Sequence, residues 1–512
     1  MRVPLISTVF AIALVAVPSI AAPAGSMPIS ESSIEALSGQ GPVLEFYRHR
    51  NFAPAWRSDQ AAALIAVLVQ AVDEGLDPKD YLPIGGDDTN TRDIALTEAA
   101  LGYIRDVRDG RPALRGLDQD VALPASDFDA AADLNRAIQT GDLRAYLASL
   151  PPPGEQYAHL RSSLAAYRAI RDHGGWPQIS MLDVAPMPSR DHQASRLRKR
   201  LAYEDPTVLS ELDLSAALKR FQGRHGLEVD GRLGNQTIAA LNISAEERTQ
   251  QIIANMERWR WQPRGSESDF IMVNVPDASL SLVLGGHEVL SSRVIVGKRL
   301  TPTPILRAEG GGLTVNPPWN VPASIARKEI LVKLKINPSY LRSQDMVLLN
   351  GPPGDPYGLH VRWRAIPANS FPYLIQQHPG SANQLGTIKL ELPNRFDVYL
   401  HDTPAKGAFA RGNRDVSHGC VRVERILPLA SYILSQDLSA METIANAVSS
   451  GETRYFPLRK RLPVYFLYWT AFTAADGVLQ FRPDIYGRDK RQAAALEGVL
   501  KMSALNPNCS KG

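Results

Sequence analysis

Between His401 and Val423 the sequence reads HDTPAKGAFARGNRDVSHGCVRV, which sets His401, Asp402, Ser417, His418, Gly419 and Arg422 around Cys420. The chain has two cysteines, and the other, Cys509, stands in the terminal NPNCSKG, so a thiol in mid-chain has no evident disulfide partner. A free thiol is only a few per cent ionised at neutral pH and needs a base or a cation beside it to attack an acyl carbon. His401 has the chemistry for that task, and the 18 residues between it and Cys420 allow a loop to return. In FDVYLH the two-residue period sets Phe396, Val398 and Leu400 on one face and Asp397, Tyr399 and His401 on the other. Gly419 permits a sharp turn in which the amides of His418, Gly419 and Cys420 converge on an oxyanion. Two other readings stay open. Cys420 is a small buried hydrophobe, or it joins His401, His418 and Asp402 in a zinc site, although HGC lacks the usual gap between paired ligands.

Stepping outward along the chain, 512 residues exceed one core and suggest roughly three or four domains. Lys+Arg 56 against Asp+Glu 53 leaves +3, too little field to hold nucleic acid. The basic run RLRKR at Arg196–Arg200 is expected to be a solvated helix face. The opening MRVPLISTVFAIALVAVPSIAAPAGS has the layout of a signal peptide cleaved after Ala21 or Ala24; the alternative is an uncleaved anchor, though Pro4 and Pro18 shorten the apolar run. From Ile34 to Gln178 apolar residues recur at three- and four-residue intervals, which predicts helices and shows no chemistry. LSAALKRFQGRHGLEVDGRLGNQTIAALN predicts a helix ending at Gly226, a turn at Asp230-Gly231 and a second helix capped by Asn235. Packing alone accounts for Phe221 and Gln222. After NMERWRWQPRG the texture becomes strands, interrupted from Ala323 to Gln376 by a segment read as helical and then loop-like; past Ser450 a hairpin turned at Asp476-Gly477 and a polar tail are expected.

Phe221-Gln222, Gly226-Leu227, Asp230-Gly231, Gly234, Thr237 and Leu241-Asn242 resemble the peptidoglycan-binding helical module, which implies cell-wall glycan or stem peptide as ligand. His401, Ser417, His418, Gly419, Cys420 and Arg422 resemble the H…SHGC.R signature of the L,D-transpeptidase (YkuD-type) catalytic domain. VNPPWNVPASI, QQHPGSANQLGTIKL and VYLHDTP resemble the large periplasmic YcbB-type branch, and FYRHRNFAPAW and DGVLQFRPDIYGRD extend the resemblance over most of the mature chain.

The resemblance implies that Cys420 attacks the carbonyl between the L-centre of meso-diaminopimelate and the terminal D-Ala of a tetrapeptide stem, and that a second stem's amine resolves the thioester. It implies His401 as base and acid, oriented by the backbone carbonyl of Asp402, with His418 and Gly419 in the oxyanion turn. Arg422, Tyr399, Ser417 and Trp319 would contact substrate, bracing of the loop being the alternative for Arg422 and packing the alternative for Tyr399 and Trp319. It implies no cofactor and no metal, acylation by carbapenems, export to the periplasm, and peptidoglycan stems and glycan as partners, with no nucleic acid and no membrane span once the signal is cleaved. The expected fold is α+β and multidomain: signal peptide 1–24, helical scaffold 25–178, peptidoglycan-binding domain 179–250, β-rich catalytic domain 265–450 with a cap at 323–376, and hairpin and tail 451–512. A carboxypeptidase using the same thioester and a non-catalytic wall-binding scaffold are the competing functions. In the opening stretch of the cap, Ala323 to Ser343, Arg327, Lys328, Lys333, Lys335 and Arg342 against only Glu329 predict a basic segment that steers an acidic donor, or else a solvated face.

Overall fold

The alternating runs that begin at Phe270 hydrogen-bond in the order Ile305–Val315, Arg454–Leu467, Phe270–Asn274, Ser279–Leu284, His287–Gly297, Val421–Val423, Leu400–His401 and Ile388–Glu391. The last strand pairs back on the first, Val315 opposite Ile388 and Gly312 opposite Glu391, so the sheet closes into a barrel and these strands have no free edge. Alternation fills its interior: Ile271, Val273, Leu280, Leu282, Val294, Leu313, Leu390, Leu400, Val421, Val464 and Phe466 are no more than 1% exposed. The computed structural model describes residues 28–83, 88–124, 126–180, 190–211, 213–265, 267–434 and 440–505. The expected signal segment and Cys509 lie outside the described residues, and no helix among those described is long and apolar enough to cross a membrane.

Several elements differ from the sequence expectation. FDVYLH is not extended throughout; its strand is Leu400–His401 alone. Asn394 accepts from the amides of Phe396 and Val398 and donates to the Val398 carbonyl, and Asp397 adopts φ 53°, so an asparagine-centred turn replaces the first part of the run. LPVYFL is not a hairpin arm but the end of Arg454–Leu467, paired on both sides within the barrel. The hairpin is smaller, Ala471–Thr473 with Leu479–Phe481, turned at Gly477. The polar tail is a helix, Arg488–Leu505, whose first amides, Arg488 and Asp489, donate to the Asp484 carboxylate.

The chain divides into two compact units. One, Met1–Arg111 with Ser126–Ala165, is helical and packs around Phe46, Tyr47, Leu64, Leu68, Ile104 and Leu134. Its buried Asp93 accepts from the Tyr47 hydroxyl at 2.6 Å and from the amides of Ala55 and Trp56, which makes it a structural carboxylate. The other unit holds everything else, including Pro112–Ala125, where Val121–Ala122 adds a parallel strand to Ile305–Leu306 and Asp118 and Asp120 pair with buried Arg488.

In that second unit the helices Leu214–Arg224 and Asn235–Leu241 form as expected, except that Gly234 rather than Asn235 holds the cap position. Gln222 is 1% exposed and ties the intervening turn together, donating to Asp230, the Arg232 carbonyl and Thr237. RLRKR is not wholly solvated: Arg200 is buried, with its guanidinium 3.9 Å from the Trp176 ring centroid and bonded to Glu204. The interruption in the strand series is a cap with its own sheet, Trp319–Asn320, Ile375–Gln377 and Met346–Leu348, folded on Trp319, Leu331, Leu334, Leu341 and Trp363.

Candidate active site

Register alone places the chemistry. Leu400 and His401 lie opposite Val421 and Arg422 in a parallel pair, and opposite Leu390 and Lys389 in an antiparallel one. Residues directly opposite each other project to the same side, so Leu390, Leu400 and Val421 enter the barrel while Lys389, His401 and Arg422 face outward. One position earlier, the Val421 amide donates to the Tyr399 carbonyl at 3.0 Å, which brings Cys420 beside Tyr399 on that outer face. The rings of Tyr399 and His401 are 5.5 Å apart at 63°, and Lys389 Nζ lies 4.5 Å from the Tyr399 centroid. Lys389 is held by Glu391 at 2.7 Å, and Glu391 by the Thr314 hydroxyl at 2.7 Å.

Burial pushes the Cys420 thiol up from its ordinary value, while hydrogen bonds from Tyr399 and the charges of Lys389 and Arg422 pull it back. Cys420 Sγ meets the Asp397 carbonyl at 3.6 Å, so at rest the sulfur carries its proton. Burial, and then the charge of Arg422, lower His401 to about 3, partly offset by the backbone of Asp402 and Leu385. The imidazole is therefore neutral, the form that accepts a proton. Among the described residues no acceptor meets His401 Nδ1 in ordinary hydrogen-bond geometry, and no direct hydrogen bond joins His401 to Cys420. Arg422 is half-buried and its Nε has no partner there either, which leaves a cation on the face with spare donor capacity.

The supports explain several quoted motifs. Asp402 is 4% exposed; its carboxylate accepts from the Thr387 amide and hydroxyl at 2.9 Å each and from Lys406. Gly386 adopts φ +61°, and a Cβ there would stand 2.5 Å from the Asp402 carboxyl carbon. In SHGC the Ser417 hydroxyl donates to the Cys420 carbonyl at 2.6 Å and accepts from the Gly419 amide, while the Thr303 hydroxyl holds the Gly419 carbonyl at 2.8 Å. Ser417 is thus a brace of the turn, and the Gly419 amide is already engaged. The amides of His418 and Cys420 have no acceptor among the described residues and are the donors left for an oxyanion. Trp319 sits in the cap core, and Lys333 is bound to the Tyr340 hydroxyl at 3.0 Å. His418 turns toward the cap, its Nε2 2.5 Å from Glu329 and 3.5 Å from Lys298 Nζ.

Lys389 and Glu391 escaped sequence reasoning, and Glu329 entered it only as the acid in a charge count. The alternation in TIKLELP is a signal that would have found the first two, since Lys389 and Glu391 interleave with Ile388 and Leu390. Among the described residues no group of three or more His, Cys, Asp or Glu side chains is placed to hold a metal ion.

Three family descriptions match the chain: "L,D-transpeptidase catalytic domain" over residues 268–454, "Putative peptidoglycan binding domain" over 196–241 and "Scaffold domain" over 42–164. The chain therefore carries a YkuD-type catalytic domain and a peptidoglycan-binding module, in an architecture consistent with the YcbB-type branch. A relative from Haemophilus influenzae (strain ATCC 51907 / DSM 11121 / KW20 / Rd), described as "Putative L,D-transpeptidase", is 36% identical over 271 residues, which are 51% of this chain and 54% of that one. This chain thus spans about half the length of that relative. An "L,D-transpeptidase from Mycobacterium smegmatis" aligns over 39% of this chain and 58% of that chain at 11% identity and a TM-score of 0.18, too slight to carry an argument.

Proposed function

We propose that this chain is a cell-wall L,D-transpeptidase that joins diaminopimelate residues of peptidoglycan stems through a thioester on Cys420. The observation that carries the reading is one outer barrel face shared by a protonated thiol, a neutral imidazole and two cations, inside an L,D-transpeptidase catalytic domain. In this reading Cys420 Sγ bonds to the carbonyl carbon on the L-centre of diaminopimelate while His401 takes the thiol proton. Burial disfavours a free thiolate, so the proton leaves as the S–C bond forms. The C–N bond to D-Ala then breaks, His401 returns the proton to the departing amine, and the acyl group stays on sulfur. The Cys420 amide faces the developing oxyanion, and Arg422 holds a carboxylate of the donor stem. The peptidoglycan-binding module retains the enzyme on its polymeric substrate, and the reaction is placed in the periplasm. Carbapenems, strained acyl donors, acylate the same sulfur.

The test is incubation of purified protein with a disaccharide tetrapeptide, with products resolved by mass. Cross-linked dimer together with free D-Ala supports transpeptidation. Tripeptide with D-Ala and no dimer would make the enzyme a carboxypeptidase, and unchanged substrate would leave only a wall-binding scaffold.

A further inference from the structure

The five bases at the start of the cap draw the eye in the sequence, yet its single acid is the side chain brought against the cysteine turn. Glu329 lies in Ala326–Ile330, where the Leu331 amide bonds the Ala326 carbonyl, an i to i+5 closure that inserts a residue into the helix. Such π turns re-aim side chains and recur at functional sites. Here Glu329 reaches His418, two positions before Cys420, and both side chains keep access to solvent, 40% and 33% exposed. Two other carboxylates around the thiol are less available: Glu391 is neutralised by Lys389, and Asp402 is buried against Thr387 and Lys406. Asp397 offers its backbone carbonyl to the sulfur.

We propose that Glu329 is the recognition site for the acceptor's ammonium group, and that the Glu329–His418 pair decides whether the acyl group goes to an amine or to water. The inference rests on the thioester reading and names the second substrate's anchor within it. An acceptor amine is a cation in water and must be both held and deprotonated next to the thioester. The carboxylate offers the charge-assisted contact. By accepting from His418 Nε2, it also leaves the other ring nitrogen with a free lone pair, as the orienting acid does in a catalytic triad. One ammonium proton goes to that nitrogen; the amine nitrogen bonds to the acyl carbon and the C–S bond breaks. The second proton goes to the departing sulfur, so an amide, a thiol and an imidazolium result, and water then takes the proton from the imidazolium.

The test compares full-length wild type with Glu329→Gln, Glu329→Ala and a charge control elsewhere on the cap, Asp345→Asn, whose carboxylate pairs with His378, all supplied with disaccharide tetrapeptide. The readout is the ratio of amine-derived to water-derived product per acyl-enzyme formed, which is independent of how fast acylation occurs. Glu329→Gln keeps a hydrogen-bonding side chain toward His418 but loses the charge, so the ratio is expected to fall about tenfold or more, as in Glu329→Ala. In Asp345→Asn it is expected to stay near wild type. With hydroxylamine, uncharged at neutral pH, as the nucleophile, the partition should be the same in Glu329→Gln and wild type. If Glu329→Gln retains the wild-type ratio with the cationic acceptor, the pair is only a latch between cap and turn, and the proposal is overturned. An equal loss with hydroxylamine, or in Asp345→Asn, would also overturn it. Wild type that forms acyl-enzyme but only tripeptide removes the acceptor site alone, whereas wild type that forms no acyl-enzyme removes the thioester reading as well.

Discussion

Substituting His401 by Gln removes the one imidazole on the barrel face whose burial holds it near 3 rather than the ordinary 6.5. Between those values the unfolded chain binds a proton that the native site refuses, so wild-type stability falls as pH drops below about 6.5 and levels off near the native value. Taken all the way to the native value the loss is about 5 kcal/mol, and at about pH 5 the loss relative to about pH 8 is about 2 kcal/mol. The variant lacks this contribution, while buried His225, lowered to about 4, acts equally in both proteins. The difference in unfolding free energy between wild type and His401→Gln, from urea titrations, is thus expected to shift by about 2 kcal/mol in the variant's favour between those pH values. Parallel pH dependences would refute the buried neutral imidazole.

Lys389→Met removes a cation that lowers the Cys420 pKa, so the midpoint of the pH profile for iodoacetamide alkylation of Cys420 should rise, and Lys389→Arg should restore it; an unmoved midpoint would mean that Lys389 does not reach the sulfur electrostatically. Gly386→Ala places a Cβ against the Asp402 carboxyl at a positive φ and is expected to cost about 1–3 kcal/mol in urea unfolding, with loss of turnover; wild-type values for both would show that the turn yields freely. Lys333 and Lys335 keep their charge, Lys333 bonding only the uncharged Tyr340 hydroxyl, so Lys333→Glu with Lys335→Glu should lower kcat/KM at low ionic strength and flatten its salt dependence; wild-type rate and slope would leave these bases as a solvated face.

The short stretch around Cys420 was readable because its residues are rare and closely spaced, and the strands because alternation writes the barrel interior directly into the sequence. What escaped is what depends on partners far along the chain. Arg454–Leu467 is bracketed by Ile305–Val315 and Phe270–Asn274, a pairing no local pattern encodes, so it read as a hairpin arm. The cap sheet escaped because its strands are two or three residues long. Arg200 looked solvated because charge in a sequence does not reveal an aromatic ring waiting for it at Trp176. SHGC was legible as a turn, but not the roles within it: Thr303 arrives from more than a hundred residues upstream, and Ser417 spends its hydroxyl on the Cys420 carbonyl. Net charge favoured the cap's lysines over Glu329, because a count of signs carries no direction.

The most direct test of the account is intact-mass and peptide-mapping analysis of the protein quenched in acid during incubation with disaccharide tetrapeptide, beside Cys420→Ser. An adduct equal to the donor minus D-Ala, mapping to the peptide that contains Cys420, released by hydroxylamine and missing in Cys420→Ser, is the predicted result. Turnover without such an adduct, or an adduct that persists in Cys420→Ser, would contradict it.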